Sequence, residues 1–416
     1  MKKWKELLDK WGEFGHNRVV CQQKGVMFLA RVHVHGKTAH SHGRFLHIYQ
    51  LISGFVRKNA VMVIAMLAAL VTCLIIPPDA AYLQYFDVKT LTCLFCVLAV
   101  VCALKNINFF YVLAKTLIQV FRNTRLCVIA LVYITFIGSM LIANDMALLT
   151  FLPLGTFVIL ETGKKKLMAF TFIMQNIAAN LGGMLTPFGN PQNLYLYTKF
   201  QIPTVEFMGI MLLPFALAIG LITLCCIVFV KPEPLSMQVE KVRLPLWRSL
   251  AYLGLFSLAI AIVFRGIPYG IGLAVIPLAL VFLDRKALKM VDYPLLLTFV
   301  FFFIFSGNMA RIEAVQAVFS WLMEKNALLV SALSCQFISN VPSAILLSQF
   351  TDNYRQLLLG VNIGGVGTLI ASLASLITFR EYTNQNPGKS RQYILLFSAF
   401  NFGFLAVLSV FCMLIV

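Results

Sequence analysis

The chain has 416 residues, of which 60% are hydrophobic and 12% charged, and it carries a formal net charge of +18. So little charge cannot cover a soluble protein of this length. Several apolar stretches also reach the roughly 20 residues that cross a hydrocarbon core about 30 Å thick, so the composition specifies an all-α polytopic membrane protein. The positive excess lies in the N-terminal tail and in alternate loops, as the positive-inside rule distributes Lys and Arg, which leaves no folded basic domain for a nucleic acid.

Residues 1–58 read as a cytoplasmic basic, His-rich tail. Residues 1–14 form an amphipathic pattern in which Trp4, Leu7, Leu8 and Trp11 share a face with lysines around them, suited to an anionic inner leaflet. The tail holds all six histidines: His16, His33, His35, His40, His42 and His47. The two H-x-H pairs have metal-binding spacing, but no Cys or carboxylate accompanies them, and a flexible basic tail is the preferred reading. No apolar core of a cleavable signal is present, so the N-terminus is expected in the cytoplasm. Nine of the ten cysteines fall in apolar segments. Cys93 and Cys96 read as small core residues rather than metal ligands, since no second pair matches them.

A first span is predicted at 59–76 and a second at 88–104, joined by an acidic loop. An in-plane amphipathic helix follows at 108–121. Residues 126–160 are apolar throughout, too long for one helix, and flanked by cations on both sides, with Asn144 and Asp145 in the middle. Such a segment begins and ends on the inner side. It is either two complete spans or a re-entrant hairpin with Asn144 and Asp145 at its tip. The hairpin is preferred, because it puts the polar tip at depth, where irregular backbone is tolerated against protein or a watery cavity.

Residues 167–200 are interrupted by Thr186-Pro187-Phe188-Gly189-Asn190-Pro191-Gln192-Asn193, whose prolines and glycine break a helix. Spans at 207–230, 249–264, 267–283 and 294–306 come next. An amphipathic stretch at 311–325 then leads into a second broken apolar segment, 327–350, with Ser339-Asn340-Val341-Pro342-Ser343 at its break. Residues 356–379 read as a helix weakened by Gly364, Gly365, Gly367 and the small stretch 371–375, and 393–416 is the last span. The expectation is about nine spans and two re-entrant hairpins, with the C-terminus outside.

The halves can be superposed in sequence. Phe86-Asp87-Val88 matches Val291-Asp292-Tyr293, Asn144 matches Asn340, Asn176-Ile177 matches Asn362-Ile363, and 189–193 matches 374–378 after one gap. This defines a first repeat at 59–230, a linker with an extra helix at 231–266, and an inverted second repeat at 267–416. Inverted repeats with broken helices hold cargo near the midplane at the repeat interface.

Asp145 is the one acidic residue of sixteen placed deep in an apolar segment. A carboxylate there is costly unless protonated or paired, which suits a proton carrier or a Na+ ligand. A helix-capping role is the structural alternative. Asn144, Ser339, Asn340 and Ser343 offer oxygens and amides at the two tips, and freed carbonyls near Gly189 and Ala374 suit Na+. Helix N-termini after the tips and breaks favour an anion. With no Lys or Arg at that depth, a small anionic substrate would rest on helix ends, amides and hydroxyls such as Thr186, Asn190, Asn193, Ser375 and Thr378. A small neutral oxyacid also fits.

At Ala143-Asn144-Asp145, at 189–193, at 339–343 and at 371–375 the chain resembles the ion transporter superfamily. That group includes citrate and divalent-anion/Na+ symporters, arsenite-efflux permeases and one class of Na+/H+ antiporters. The likeness covers about 59–416. The dicarboxylate carriers of the family have Ser-Asn-Thr at both tips. Here the tips read Ala143-Asn144-Asp145 and Ser339-Asn340-Val341, nearer the arsenite-permease branch. The resemblance implies two Na+ sites, around Asn144/Gly189 and Asn340/Ala374, a homodimer, and elevator-like motion of the hairpin-bearing part.

Enzyme classes find little support. An intramembrane aspartyl protease needs two deep aspartates, and a pump needs a nucleotide motif that is absent. The reading is therefore a secondary transporter of the inner (plasma) membrane moving a dicarboxylate- or citrate-like anion with Na+ or H+ and needing no other cofactor. Arsenite efflux or Na+/H+ antiport follow as alternatives, and a passive channel stands last.

Overall fold

A computed structural model describes residues 53–56, 59–118, 123–234 and 244–416. The expected amphipathic segment at 1–14 and all six histidines lie outside the described residues. Residues 59–416 make one compact unit. Its helices are α1 Ala60–Ile75, α2 Val88–Asn106, α3 Phe109–Ile118, α4 Thr124–Ile142, α5 Asn144–Glu161, α6 Met168–Gly182, α7 Pro191–Lys199, α8 Thr204–Phe229 and α9 Leu246–Val263. They continue with α10 Tyr269–Leu283, α11 Arg285–Met290, α12 Tyr293–Ala310, α13 Glu313–Ile338, α14 Asn340–Leu347, α15 Tyr354–Ile363, α16 Leu373–Gln385 and α17 Ser390–Ile415. No strand occurs among the described residues. The protein is an all-α polytopic membrane protein: α2, α4, α5, α8, α9, α12 and α17 are long and apolar enough to cross a bilayer, and α1 and α10 are shorter apolar helices.

Local chemistry sets where these helices start. Asp87 accepts from the Thr90 backbone N–H (2.9 Å) and Asp292 from that of Leu295 (3.0 Å), each satisfying an orphan amide of a first turn. These two caps are the residues that the sequence alignment of the halves had paired. Asn326 interrupts α13 with φ −166° and ψ 90°, and its Oδ1 caps the second part through Leu329 N–H at 2.9 Å. The amphipathic stretch ending at 325 and the apolar arm beginning at 327 therefore meet at a built-in joint.

Two segments expected as interrupted helices are fully divided. The α6 helix gives way at 183–190 to a 3-10 turn and extended residues before α7. Likewise α15 ends at Ile363, and α16 resumes only at Leu373, so 356–379 is not a weakened helix but two helices. The second break is wider than the sequence suggested because Gly364, Gly365 and Gly367 lower the cost of leaving the helix.

The halves interlock beyond their breaks. From the first half, α7 packs on α14 and α15; from the second, α16 packs on α5 and α6. The base of the α4–α5 pair is tied to the end of α8. Thr124 N–H donates to Glu233 O at 2.8 Å, Arg125 Nε to Val230 O at 2.6 Å, and Lys164 forms an ion pair with Glu233. At another end, buried Asn308 donates to Tyr82 Oη (2.8 Å) and Thr72 Oγ1 (3.2 Å), joining α12 to α1. Beside it Arg311 pairs with Asp79 at 2.6 Å, and its hydrogen bonds hold that carboxyl below the usual carboxylate range.

Candidate functional site

Both hairpin tips adopt the same unusual backbone. Ala143 has φ 64° and ψ 152°, and Ser339 has φ 73° and ψ 159°. This region is almost reserved for glycine and costs a non-glycine residue on the order of 1–3 kcal/mol. The turn is therefore one residue earlier than the Asn-Asp and Asn-Val pairs, and Asn144 and Asn340 already open the second arms. Each asparagine folds its Oδ1 onto the next backbone N–H, at Asp145 and at Val341, both at 2.9 Å. Val341, Pro342 and Ser343, expected in the break, lie in the first turn of α14.

The two tips meet at one place. Asn144 Nδ2 donates to Ser372 Oγ at 3.5 Å, and Asn340 N–H donates to Ala371 O at 3.0 Å. Ser339 Oγ also reaches Ala371 O, at 3.2 Å. Asn180 connects the tip of α5 to the first break: its Oδ1 accepts from Asn144 at 3.1 Å, and its backbone O accepts from Asn190 Nδ2 at 3.3 Å. Asn190 also donates to Asn362 Oδ1 (3.4 Å), and Asn362 Nδ2 donates to Asn193 Oδ1 (2.7 Å). The starts of α5, α7, α14 and α16 are thus joined through one buried amide network, and each presents the positive end of a helix.

Carboxamides hold the two breaks open. Asn193 Nδ2 donates to the carbonyls of Gly183 (3.2 Å), Met184 (3.2 Å) and Thr186 (3.3 Å). In the second break Gln336 Nε2 donates to Gly364 O and Val366 O, at 3.0 and 3.1 Å, and its Oε1 accepts from Thr368 N–H at 2.8 Å. Gly367, at φ 124°, leaves the room Gln336 needs, because a Cβ there would run into its carboxamide. The breaks also fix the register between halves. Asn190 and Ser372 are the extended residues that precede α7 and α16, so Ser372 rather than Ser375 is the counterpart of Asn190.

Other expected site residues are placed as follows. Thr186 donates to Met140 O (2.7 Å), and Ser343 shares a bond with Ser334 (2.9 Å) on the opposing arm. Ser375 Oγ accepts from Asn176 Nδ2 at 3.3 Å, while Thr378 spends its hydroxyl on Ala374 O at 2.9 Å. Gly189 packs its Cα against the Gly183 backbone. Ala143, which precedes α5, has no side chain that can cap it, and Asp145 Oδ1 is buried without a hydrogen-bond partner. The carboxyl faces the Ala374 backbone N–H, which brings Asp145 and Ala374 together.

Several oxygens on these elements lack donors. Asp145 Oδ1, Asn176 Oδ1, Asn190 Oδ1 and Gln192 Oε1 are all buried and unpartnered. Each such acceptor costs about 1–3 kcal/mol. Among the described residues no Lys or Arg is buried. Oxygen donors without thiols or imidazoles suit a hard cation such as Na+, and the helix starts suit an anion. Among the described residues no group of three His, Cys, Asp or Glu that could hold a metal is found, and nine cysteines are free thiols. Sequence reasoning missed Asn180, Gln336, Ser372 and Asn401, the last of which accepts from Asn176 at 3.5 Å. Lone amides inside apolar helices were the available signal.

A family model described as citrate transporter (CitMHS) matches residues 48–354. The chain is 33% identical to an uncharacterized transporter of Methanocaldococcus jannaschii over 70% of its own length and 80% of that protein. It is 30% identical to the inner membrane protein YbiR of Escherichia coli over 66% of its own length and 74% of that protein.

Proposed function

The chain belongs to the citrate transporter family, and from that premise we propose that it is a secondary carrier moving a small dicarboxylate- or citrate-like anion with Na+ or H+. The observation that carries this reading is the meeting of Asn144, from one half, and Asn340, from the other, at Ala371–Ser372. A site framed by both halves can be exposed to either side when one part of the protein moves, whereas a channel needs no such shared frame. In this reading the α4–α5 and α13–α14 pairs are re-entrant hairpins. The anion rests on the four helix starts, with Asn144, Thr186, Asn190, Asn193, Asn340, Ser343, Ser375 and Thr378 around it. The coupling ion sits at Asp145, Asn144 and Gly189, with Ser339, Asn340 and Ala374 framing the second position. The carrier works as a homodimer in the inner (plasma) membrane, N-terminus in the cytoplasm and C-terminus outside; YbiR's description as an inner membrane protein supports that location.

The lone carboxyl of Asp145, unaccompanied by any buried cation among the described residues, favours arsenite efflux or Na+/H+ exchange as the second reading. Proteoliposomes separate these cases. Citrate, succinate, arsenite and a Na+ gradient alone are tested, each with and without Na+ and with a preloaded lumen. Carboxylate uptake accelerated by internal carboxylate supports the proposal. Flux with no acceleration by internal substrate means a channel, and activity with arsenite or Na+ alone means the second reading.

Asn144→Ala and Asn340→Ala provide a finer test. Losing one oxygen ligand should raise the Na+ concentration for half-maximal uptake by roughly tenfold in each. Unchanged Na+ titrations in both variants would remove the tips from cation binding.

A further inference from the structure

The turn between α9 and α10 holds an arginine in an unusual place. Arg265 has φ 63°, and the N–H of Gly266 returns to Ala261 O at 2.9 Å, the bonding of a left-handed helix cap. Glycine is the usual occupant of that position, since a side chain there costs roughly 1–2 kcal/mol. The strained arginine reaches the far end of α7. Its Nη2 donates to Tyr197 O at 2.6 Å and its Nη1 to Gln201 O at 3.2 Å, while the guanidinium lies 4.2 Å from the centre of the Tyr197 ring. No carboxylate pairs with it among the described residues, whose two ion pairs are Lys164–Glu233 and Arg311–Asp79. The guanidinium's partner is therefore the negative end of a half-helix.

The same turn touches the other end of that helix. Phe264 stands edge-on to Phe188 at 5.7 Å, and Phe188 lies in the first break, two residues before Asn190. One short turn from the segment linking the halves thus grips the cargo-site break through Phe264 and the opposite end of α7 through Arg265.

We propose that Arg265 is a positioning residue for transport: docked on the end of α7, it holds one orientation of the half-helix and releases it when the site changes sides. This rests on the carrier reading above. The fork of an arginine suits such a clasp, because two directed bonds to carbonyls are lost together on a small displacement.

The test follows distance rather than flux, so it needs no cargo and stands or falls separately from substrate identity. The exposed residues Leu83 and Val205 are replaced, as Leu83→Cys and Val205→Cys, in the full chain in lipid nanodiscs. Nitroxide labels there are measured by pulsed electron resonance, with the chain lacking both substitutions as the labelling control. The clasped protein should give one dominant distance. Arg265→Ala should raise the population of a second distance by roughly tenfold, and Arg265→Lys, which keeps the charge and loses the fork, by less. An Arg265→Ala distribution identical to that of the parent, whatever its thermal stability, would reduce Arg265 to a helix cap and overturn the proposal. If Arg265→Ala does not fold, Arg265→Lys decides: an unchanged distribution there overturns it equally.

Discussion

Asp145→Asn should abolish gradient-driven accumulation while the protein still inserts and folds. The substitution keeps the shape of the side chain and removes its ability to carry a charge or a proton. Asp145 Oδ1 is buried with no hydrogen-bond partner, so the ionised group is stabilised by little except the Ala374 amide and whatever cation arrives. A carboxylate left in that condition is useful only if binding an ion or a proton is part of the cycle. Losing a charge-assisted contact of about 1.5–3 kcal/mol corresponds to roughly a 10- to 100-fold fall in coupled uptake. Counterflow at equal concentrations, which needs no driving ion, should survive better than accumulation. Thermal stability should hold or rise, since an uncompensated buried charge is gone. Wild-type accumulation in this variant would exclude Asp145 from coupling.

Gly189→Ala should silence transport by a different route. A Cβ on Gly189 would run into the Gly183 carbonyl oxygen and lie 2.7 Å from Thr186 Oγ1. The partner is backbone, which cannot swing aside as a flexible side chain does. Moving Gly183 displaces the carbonyl that Asn193 holds, and Asn190 with it. Overpacking of this kind costs about 1–3 kcal/mol, which the fold should survive. The break itself should not keep its shape, so uptake should fall to background while detergent-solubilised protein stays monodisperse. Gly209→Ala and Gly254→Ala, where a Cβ meets nothing within 4 Å, are the controls and should transport normally. Normal flux in Gly189→Ala would show that the break tolerates displacement and that its carbonyls are not part of the site.

Much of the architecture was legible because membrane sequences punctuate clearly. Length and hydropathy placed the long helices, and prolines, glycines and asparagines marked both breaks. The matched caps Asp87 and Asp292 and the tips Asn144 and Asn340 reflected a real correspondence of local structure. The turn itself was not legible, since nothing about Ala143 or Ser339 announces a backbone that glycine normally adopts; the surrounding packing imposes it. The register of the second break was misjudged by three residues for a related reason. Ser372 and Ser375 look alike in sequence, and only the end of the extended segment tells which one corresponds to Asn190. Asn180 and Gln336 escaped because a single amide in an apolar helix gives no hint of which carbonyls it will hold. Nothing in the sequence around Arg265 names the carbonyls of Tyr197 and Gln201 that it meets.

In the proposed carrier, two hairpins reach a common point from opposite faces of the membrane. Lys165 follows the α4–α5 pair and Asp352 follows the α13–α14 pair, and both are exposed. Single Lys165→Cys and Asp352→Cys variants, treated in intact cells with a membrane-impermeant maleimide, report the side of each base directly. We expect Asp352→Cys to label from outside and Lys165→Cys to label only after the membrane is opened. Labelling of both from the same side would contradict the inverted arrangement, and the shared cargo site with it.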